Sequence, residues 1–214
     1  MNTLENPIQH LTQLAARNHP ARTLIGLAGQ PGSGKTTVVR HWQQTLDAQH
    51  PELHTQVLGM DGFHLSKAQL AAMPDPEQAF ARRGAPWTFD AAGFVAKVQA
   101  LRADRDTVSW PDFDHALGDP EADAFTVTPA CRLVIVEGLY LLYREDDWAG
   151  LEGLFDEIWF FDTPPEVALE RLLSRHQQAW GFSREQAYQR YQANDGKNAE
   201  IVLATRERAD WRVE

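Results

Sequence analysis

Cysteine is nearly absent from this sequence, since Cys131 is the only one among 214 residues. An intramolecular disulfide is therefore impossible, and a metal cluster held by several thiolates is excluded. The sequence also lacks a run of about 20 apolar residues, the length needed to span a bilayer. Residues 1–18 mix charged and amide side chains and lack the apolar centre of a signal peptide. We therefore expect a cytoplasmic protein with no membrane partner.

Basic residues are also scarce, because 20 lysines and arginines stand against 30 acidic residues and give a net charge of -10. This balance repels a nucleic-acid backbone unless a basic patch overrides it, and the sequence shows no such patch. We therefore expect no nucleic-acid partner. Hydrophobic residues make up 43% of the chain, with no break in composition, which predicts one domain over residues 1–214.

Four short apolar runs are present at wide intervals, and each is predicted to be a buried strand. They are Thr23–Ala28, Thr55–Met60, Leu133–Val136 and Ile158–Phe161. Segments with helical periodicity lie between them, for example the one that carries Phe94, Val98 and Leu101. Strands that alternate with helices predict an α/β fold, in which helices flank a parallel central sheet.

Local signals refine this prediction. Leu4–Arg17 has an apolar stripe typical of an amphipathic helix, within an N-terminal helical segment of residues 1–20. Thr163, followed by two prolines, predicts a helix start with a hydroxyl cap. Two stretches, Pro74–Trp87 and Trp110–Pro129, fit neither the helical nor the strand period, and we expect long functional loops there.

The segment Gly29–Thr36 has the sequence GQPGSGKT and matches the Walker A pattern G-x-x-x-x-G-K-[ST] completely. It follows a predicted strand and precedes a predicted helix, which is the context of a phosphate-binding loop rather than of a merely structural turn. The glycines let backbone NH groups approach the phosphates closely, at the positive N-terminal end of the helix. The residues predicted to bind nucleotide are Gly29, Gly32, Ser33, Gly34, Lys35, Thr36 and Thr37.

Within this loop, Lys35 is expected to reach the β and γ phosphates and to take part in catalysis, and Thr36 is expected to supply a hydroxyl ligand to Mg²⁺. Acidic residues follow two of the predicted strands directly, Asp61 after the second and Glu137 after the third. Ligands collect beyond the carboxyl ends of parallel strands. Asp61 is therefore a candidate catalytic base for an acceptor hydroxyl and Glu137 a candidate metal-site carboxylate, although either could only cap a turn.

At this point the sequence resembles the uridine kinase, phosphoribulokinase and bacterial pantothenate kinase group of P-loop kinases. The resemblance extends over nearly the whole chain. It is carried by Gly29–Thr36, Met60–His64, Arg83–Pro86 with Phe89–Asp90, Asp112–His115 and Val136–Leu139. The D-G-F-H and R-G-A-P-x-x-F-D segments are similar to a bacterial branch, some of whose members are labelled fructose-transport kinases. The resemblance implies the same roles for Asp61 and Glu137.

The resemblance also implies that residues in the loops after Asp61 and near Asp114 hold the acceptor. The candidates for substrate binding are His64, Arg83, Asp90 and His115. Each has a simpler interpretation: His64 as a solvent-facing loop residue, Asp90 as a helix cap, and His115 as an ordinary loop residue. Of the neighbouring pair Arg82 and Arg83, we expect one to be only a solvated charge.

Arg171 and Arg175 lie four residues apart on a predicted helix and therefore share one face. Guanidinium groups in such a pair can stabilise the charge on a transferring phosphoryl group, which makes both residues catalytic candidates, although they could also form a solvated helix face. We expect residues 171–194, called here the lid segment, to form a helical lid that excludes water, with Gly181 as a flexible point. Arg206 lies in a stretch that resembles the part of the family sequence beside the nucleotide base.

Taken together, these residues predict a kinase that uses ATP and Mg²⁺ to phosphorylate a hydroxyl group of a small metabolite. The acceptor stays open among sugars such as fructose, nucleosides and pantothenate-like acids, as does the choice between ATP and GTP. A regulatory ATPase or nucleotide switch is the alternative, but Asn194–Lys197 does not match the N-K-x-D element of guanine-specific switches. Relatives of this type often form dimers or tetramers, so a homo-oligomer is compatible with the sequence.

Overall fold

The computed structural model of the protein describes residues 3–103, 106–114 and 116–214. Its helices are α1 (Pro7–Asn18), α2 (Lys35–Gln49), α3 (Lys67–Ala71), α4 (Pro76–Ala81), α5 (Ala91–Ala103), α6 (Pro165–Trp180), α7 (Arg184–Arg190) and α8 (Gly196–Ala204). Its strands are β1 (Thr23–Ala28), β2 (Gln56–Gly59), β3 (Val108–Asp114), β4 (Asp119–Val127), β5 (Leu133–Gly138), β6 (Glu157–Phe161) and β7 (Trp211–Val213). None of the helices within these ranges has the length and apolar content needed to cross a membrane.

A five-stranded parallel sheet forms the centre of the molecule, with the strand order β2-β5-β1-β6-β7. All six residues of the central strand β1 are buried, as a strand with helices on both faces requires. The four strands predicted from apolar runs are therefore confirmed. The edge strand β7 was not predicted, because three residues are too few to show a periodic pattern.

Two hydrophobic clusters cover the two faces of this sheet. On one face, Ile25 and Leu27 of β1 pack with residues of α1 and α2 such as Leu11 and Trp42. On the other face, Leu24 and Ala28 belong to a cluster that includes α5, the β3–β4 hairpin and α8. Neighbouring residues of β1 thus point into opposite clusters. The predicted α/β fold with a flanked parallel sheet is confirmed.

Two stretches predicted as irregular loops contain regular structure instead. Trp110–Pro129 contains most of an antiparallel hairpin formed by β3 and β4. The residues of β4 are mostly exposed and include acidic residues and a proline, so the strand lacks the alternation by which strands are recognised. Pro74–Trp87 contains the short helix α4 and the start of a 3-10 turn at Pro86–Thr88.

The predicted N-terminal helix is present as α1, with the side chain of Asn6 accepting a hydrogen bond at its start. The predicted helix after Thr163 is present as α6, but the predicted hydroxyl cap is wrong. The Thr163 hydroxyl instead donates a 2.9 Å hydrogen bond to the carbonyl oxygen of Ser33 in the phosphate-binding loop. The side chain therefore makes a long-range contact that a sequence pattern cannot show.

Candidate active site

A cleft of about 440 Å³ lies where β1, β2 and β5 end, at the carboxyl edge of the sheet. Because parallel strands end at the same edge, residues that are far apart in the chain meet there. The cleft is lined by Pro31, Gly32, Gly34, Lys35, Thr36, Thr37, Asp61, His64, Arg83, Gly84, Glu137, Gly138, Leu139, Arg171, Leu172, Arg175, Asp195 and Asn198. Most residues predicted for the site are in this set.

The loop Gly29–Thr36, called here the phosphate loop, connects β1 to α2 and needs glycine at two places. Gly32 and Gly34 have φ angles of 76° and 98°, a region that L side chains rarely adopt. A Cβ atom at Gly32 would lie 2.5 Å from the carbonyl oxygen of Ala168 in α6. The loop is therefore held against α6, with the N-terminal end of α2 turned toward the cleft.

Lys35 is buried, and its Nζ donates hydrogen bonds to the carbonyl oxygens of Gly29 (2.9 Å) and Gln30 (3.3 Å). Burial lowers the pKa of this amine, an effect that the carboxylates of Glu137 and Asp61 oppose and the positive charge of Arg175 reinforces. These electrostatic effects require the four side chains to lie close together. The lysine is thus fixed within the loop, near both predicted carboxylates.

Thr36 and Glu137 are in direct contact, as expected of two residues predicted for one metal site. The Thr36 hydroxyl donates a 2.6 Å hydrogen bond to Oε1 of Glu137. Burial raises the pKa of Glu137, and the Asp61 carboxylate adds to this shift, whereas Lys35 opposes it. The arrangement presents a hydroxyl and a carboxylate oxygen side by side, at the start of α2 and the end of β5.

Arg171 and Arg175 both face the cleft, as their four-residue spacing predicts. Nη1 of Arg171 donates a 2.5 Å hydrogen bond to the carbonyl oxygen of Ser33, the same oxygen that Thr163 contacts. The segment entering α6 and α6 itself are thus tied to the phosphate loop by two side chains. The lid segment continues through Gly181, whose φ of 66° ends α6, into α7.

His64 lines the cleft and is not a solvent-facing loop residue. Its Nδ1 donates a 2.8 Å hydrogen bond to the carbonyl oxygen of Asp61, so this nitrogen carries a proton. Its ring contacts the rings of Phe89 and Phe113, at centroid distances of 4.0 and 4.8 Å. The turn that carries Asp61 is therefore braced by its own histidine.

Arg83 is a structural anchor that also lines the cleft. Its guanidinium donates to the carbonyl oxygens of Gly118 (2.6 Å) and Leu65 (2.8 Å) and lies 3.3 Å from Asp119 Oδ1. It also lies over the ring of Phe113, 5.2 Å from its centroid. The guanidinium thus links the β3–β4 hairpin to the turn that follows His64 in sequence.

Arg82 is not a solvated charge either, so the expectation that one arginine of the pair would be free is wrong. Arg82 donates hydrogen bonds to the carbonyl oxygen of Ala193 (3.1 Å) and to Oδ1 of Asn198 (3.0 Å). These partners lie more than 100 residues away in the chain, and no local pattern could reveal them.

Two predicted residues outside the phosphate loop do not line this cleft. Asp90 does not line the cleft, and its Oδ1 accepts a 2.9 Å hydrogen bond from the backbone NH of Gly93, so the helix-cap interpretation is the one that the geometry supports. Arg206 lies outside the cleft in a 3-10 turn, with its Nε 3.4 Å from Glu207 Oε1. The positions of these two residues outside the cleft therefore do not support substrate binding by Asp90 or nucleotide binding by Arg206. His115 lies outside the described residues.

Sequence reasoning missed Asp195 and Asn198, which line the cleft from the start of α8. Asp195 is the last residue of the π-helical turn Tyr191–Asp195, and Asn198 follows this turn. Such turns are rare and are frequent at functional sites. The signal in the sequence was the spacing of Asn194 and Asn198, four residues apart in a helical stretch, and the structure shows that both are almost completely buried. Buried amides need partners, so such a pair indicates a specific environment.

Comparison with known proteins decides the family. The model of the phosphoribulokinase / uridine kinase family matches residues 24–214, nearly the whole chain. The chain belongs to this family. The resemblance based on the sequence motifs is thereby confirmed, and the protein is a P-loop kinase, a nucleotide-using phosphotransferase.

Relatives in this family cover most of the chain. A Schizosaccharomyces pombe protein named "Putative uridine kinase" is 37% identical over 187 residues, which are 86% of this chain and 79% of that protein. Protein YggC of Escherichia coli K12 is 36% identical over 217 residues, 100% of this chain and 87% of YggC. The crystal structure of a "putative fructose transport system kinase" from Silicibacter sp. TM1040 has a TM-score of 0.84 and 34% identity, with 97% of this chain and 98% of that chain covered.

Proposed function

We propose that this kinase transfers the γ-phosphoryl group of ATP to a hydroxyl group of a small metabolite, with Mg²⁺ as the metal. The observation that carries the proposal is the position of Asp61. This carboxylate lies at the end of β2, in the same cleft as the phosphate loop and the two arginines of α6. A nucleotide switch needs one carboxylate for its metal, the role proposed here for Glu137, but it does not need a second one for an acceptor hydroxyl.

Asp61 would accept the proton of the acceptor hydroxyl or orient that hydroxyl toward the phosphorus atom. Its side chain is exposed to the cleft, and its backbone is held by the Nδ1 hydrogen bond from His64. The turn Met60–Phe63 is also covered by the hairpin, because the indole NH of Trp110 donates a 2.9 Å hydrogen bond to the carbonyl oxygen of Gly59. A positioned carboxylate of this kind contributes on the order of 10²-fold to 10⁴-fold to a rate.

The phosphate loop fits a nucleoside triphosphate by its own chemistry. Its glycines keep side chains out of the space in front of α2, and Ser33 has a buried hydroxyl with no hydrogen-bond partner within the described ranges. Lys35 and the two arginines supply positive charge from two sides of the cleft. Because Arg171 and Arg175 have planar guanidinium groups, they match the equatorial oxygens of a transferring phosphoryl group.

Thr36 and Glu137 would hold Mg²⁺, directly or through water. Hydroxyl and carboxylate oxygens are ligands that this hard cation prefers. Bound Mg²⁺ supplies charge that offsets the negative charge of the phosphates during transfer. Among the described residues, no three His, Cys, Asp or Glu side chains are grouped as a cation cage. The protein therefore offers a partial ligand set, as in sites that share the cation with nucleotide phosphates.

We further propose that the lid segment closes over the cleft during the reaction. The two arginines proposed as catalytic belong to α6, the helix that ends at Gly181. Closure of the lid segment would therefore bring their positive charge to the phosphates and exclude water from the cleft in the same movement. The acceptor is then a small molecule that fits between the lid segment, the turn at Asp61 and the hairpin.

The test is acceptor-dependent ADP release by the purified protein with ATP and Mg²⁺. A panel of D-fructose, D-ribose, uridine, D-glycerate and pantothenate represents the open acceptor classes. At least one member is expected to raise ADP release well above the rate seen with ATP alone, with formation of a phosphorylated product. Slow hydrolysis that no acceptor stimulates would favour the regulatory ATPase instead.

A further inference from the structure

The wall of the cleft opposite the phosphate loop is built around Asn198, whose amide orientation is fixed. An arginine can only donate hydrogen bonds, so the atom of Asn198 that lies 3.0 Å from Arg82 must be the acceptor Oδ1. The Nδ2 donor consequently points away from Arg82, to the side where Gly84 borders the cleft. Asn198 is only 2% exposed, and the hydrogen bond from Arg82 engages Oδ1, which leaves Nδ2 as the donor of this amide.

Asp195 lies three residues earlier and therefore on the same side of the helix. Its Oδ2 is 3.3 Å from Nε2 of His176, a buried side chain of α6. The carboxylate lines the cleft together with Asn198. Asp195 and Asn198 thus present a hydrogen-bond acceptor and a donor beside each other, and both are held by partners on other elements.

These two residues surround the same space as Asp61. The hydroxyl of Tyr140 donates a 2.6 Å hydrogen bond to the carbonyl oxygen of Gly84, beside Asn198. Both Asp61 and Asp195 lie close enough to this buried phenol to raise its pKa, in addition to the larger effect of burial. The proposed base and the two polar residues therefore border one end of the cleft, called here the acceptor end.

The charges at the acceptor end disfavour an acidic acceptor. Asp61 and Asp195 contribute two carboxylates, which would repel a third. Arg83 also lines the cleft, but its two terminal nitrogens are already engaged with Gly118, Leu65 and Asp119. Lys35 lies near Asp61 as well, but its Nζ is buried and donates to the carbonyl oxygens of Gly29 and Gln30.

Resting on the proposed kinase function, we propose that Asp195 and Asn198 select a neutral acceptor with adjacent hydroxyl groups, a sugar in open or cyclic form. One hydroxyl of the acceptor donates a hydrogen bond to the Asp195 carboxylate, and a neighbouring hydroxyl accepts one from Asn198 Nδ2. A hydroxyl both donates and accepts, so a pair of them matches this donor and acceptor. A third hydroxyl then faces Asp61.

The experiment compares wild type with Asp195→Ala and Asn198→Ala on the neutral sugars D-fructose and D-ribose and on the acids D-glycerate and pantothenate. Wild type is expected to have its highest kcat/KM with a neutral sugar. Each variant should raise the KM for that sugar on the order of 10-fold to 100-fold, as expected for loss of a buried polar contact. The KM for ATP should change less than about threefold.

Two controls separate direct contact from loss of structure. Glu200→Ala changes an exposed residue of the same helix and should leave all constants near those of wild type. Arg82→Ala removes the anchor of Asn198 but keeps its amide, so its effect on the sugar KM should be smaller than that of Asn198→Ala. Monodeoxy analogues of the sugar give a second readout: the analogue that lacks the contacted hydroxyl should be penalised in wild type but not in the matching variant.

The outcomes distinguish this proposal from the kinase function on which it rests. A higher kcat/KM for D-glycerate or pantothenate than for any sugar would overturn the sugar proposal and leave the kinase function intact. An unchanged sugar KM in both variants would do the same. ATP hydrolysis that no acceptor in the panel stimulates would overturn both.

Discussion

The hydroxyl of Thr36 and the carboxylate of Glu137 are joined by a 2.6 Å hydrogen bond across 101 residues of sequence. One comes from the first turn of α2 and the other from the end of β5. Their contact brings the two oxygen ligands proposed for Mg²⁺ to the same point beside the phosphate loop.

Thr36→Val removes the hydroxyl but keeps the shape of the side chain. We expect the Mg²⁺ concentration for half-maximal phosphate transfer to rise about tenfold or more, because one oxygen ligand is lost. Thr36→Ser keeps the hydroxyl and should stay within about threefold of wild type. Titration of the transfer rate with MgCl₂ at fixed ATP measures both, and an equal Mg²⁺ requirement in all three proteins would remove Thr36 from the metal site.

Asp61→Asn keeps the size of the side chain and removes its ability to accept a proton. Transfer should fall on the order of 10²-fold to 10⁴-fold, while the Kd for ATP measured by calorimetry stays nearly unchanged. Asp47→Asn, at an exposed position of α2, is the matched control and should behave like wild type. Undiminished turnover in Asp61→Asn would eliminate this residue as the base.

The lid arginines are expected to act on the transition state. Arg171→Ala and Arg175→Ala should each lower kcat on the order of 10²-fold or more, with a smaller change in ATP affinity. Arg184→Ala removes a neighbouring arginine that pairs with Glu170 on the exposed surface, 2.5 Å apart. Exposed pairs of this kind contribute little, so that variant should keep its kcat. Single-turnover measurements would show the contrast, and a similar kcat in all three variants would contradict a catalytic role for the lid pair.

Gly32 and Gly153 have nearly equal φ angles, so alanine substitutions at the two positions distinguish the effect of backbone strain from that of a steric clash. Gly153 has a φ of 74° and open space where a Cβ would be, whereas a Cβ at Gly32 would meet the carbonyl oxygen of Ala168. Gly153→Ala should lower stability by about 1 kcal/mol, which is roughly 2–4 °C in Tm for a chain of this length. Gly32→Ala should lower Tm further and weaken ATP binding. Thermal unfolding and calorimetry test this, and equal Tm losses would show that the contact with α6 is unimportant.

The parts of the site that were predictable from sequence depend on contiguous residues or on the ends of strands. The phosphate loop is one uninterrupted motif, and Asp61 and Glu137 directly follow apolar runs. Because parallel strands end at one edge, the meeting of these residues follows from the fold class alone.

The other wall of the cleft was not predictable, because it depends on contacts between distant elements. Asp195 and Asn198 are held at the cleft by contacts with His176 and Arg82, which are distant in sequence. The β3–β4 hairpin was missed because its exposed, acidic second strand has no alternating pattern. Asp90 caps a helix, as the local sequence indicates. The local sequence could not show how far this residue lies from the cleft.

The Ser33 carbonyl oxygen, shared by the hydroxyl of Thr163 and the guanidinium of Arg171, has a mechanical consequence. One donor precedes α6 and the other projects from its middle, so a tilt or slide of α6 must lengthen at least one of the two bonds. The conformation of the phosphate loop and the position of the lid are therefore not independent variables. A displacement of α6 is therefore transmitted to the phosphate loop, and a displacement of the phosphate loop to α6.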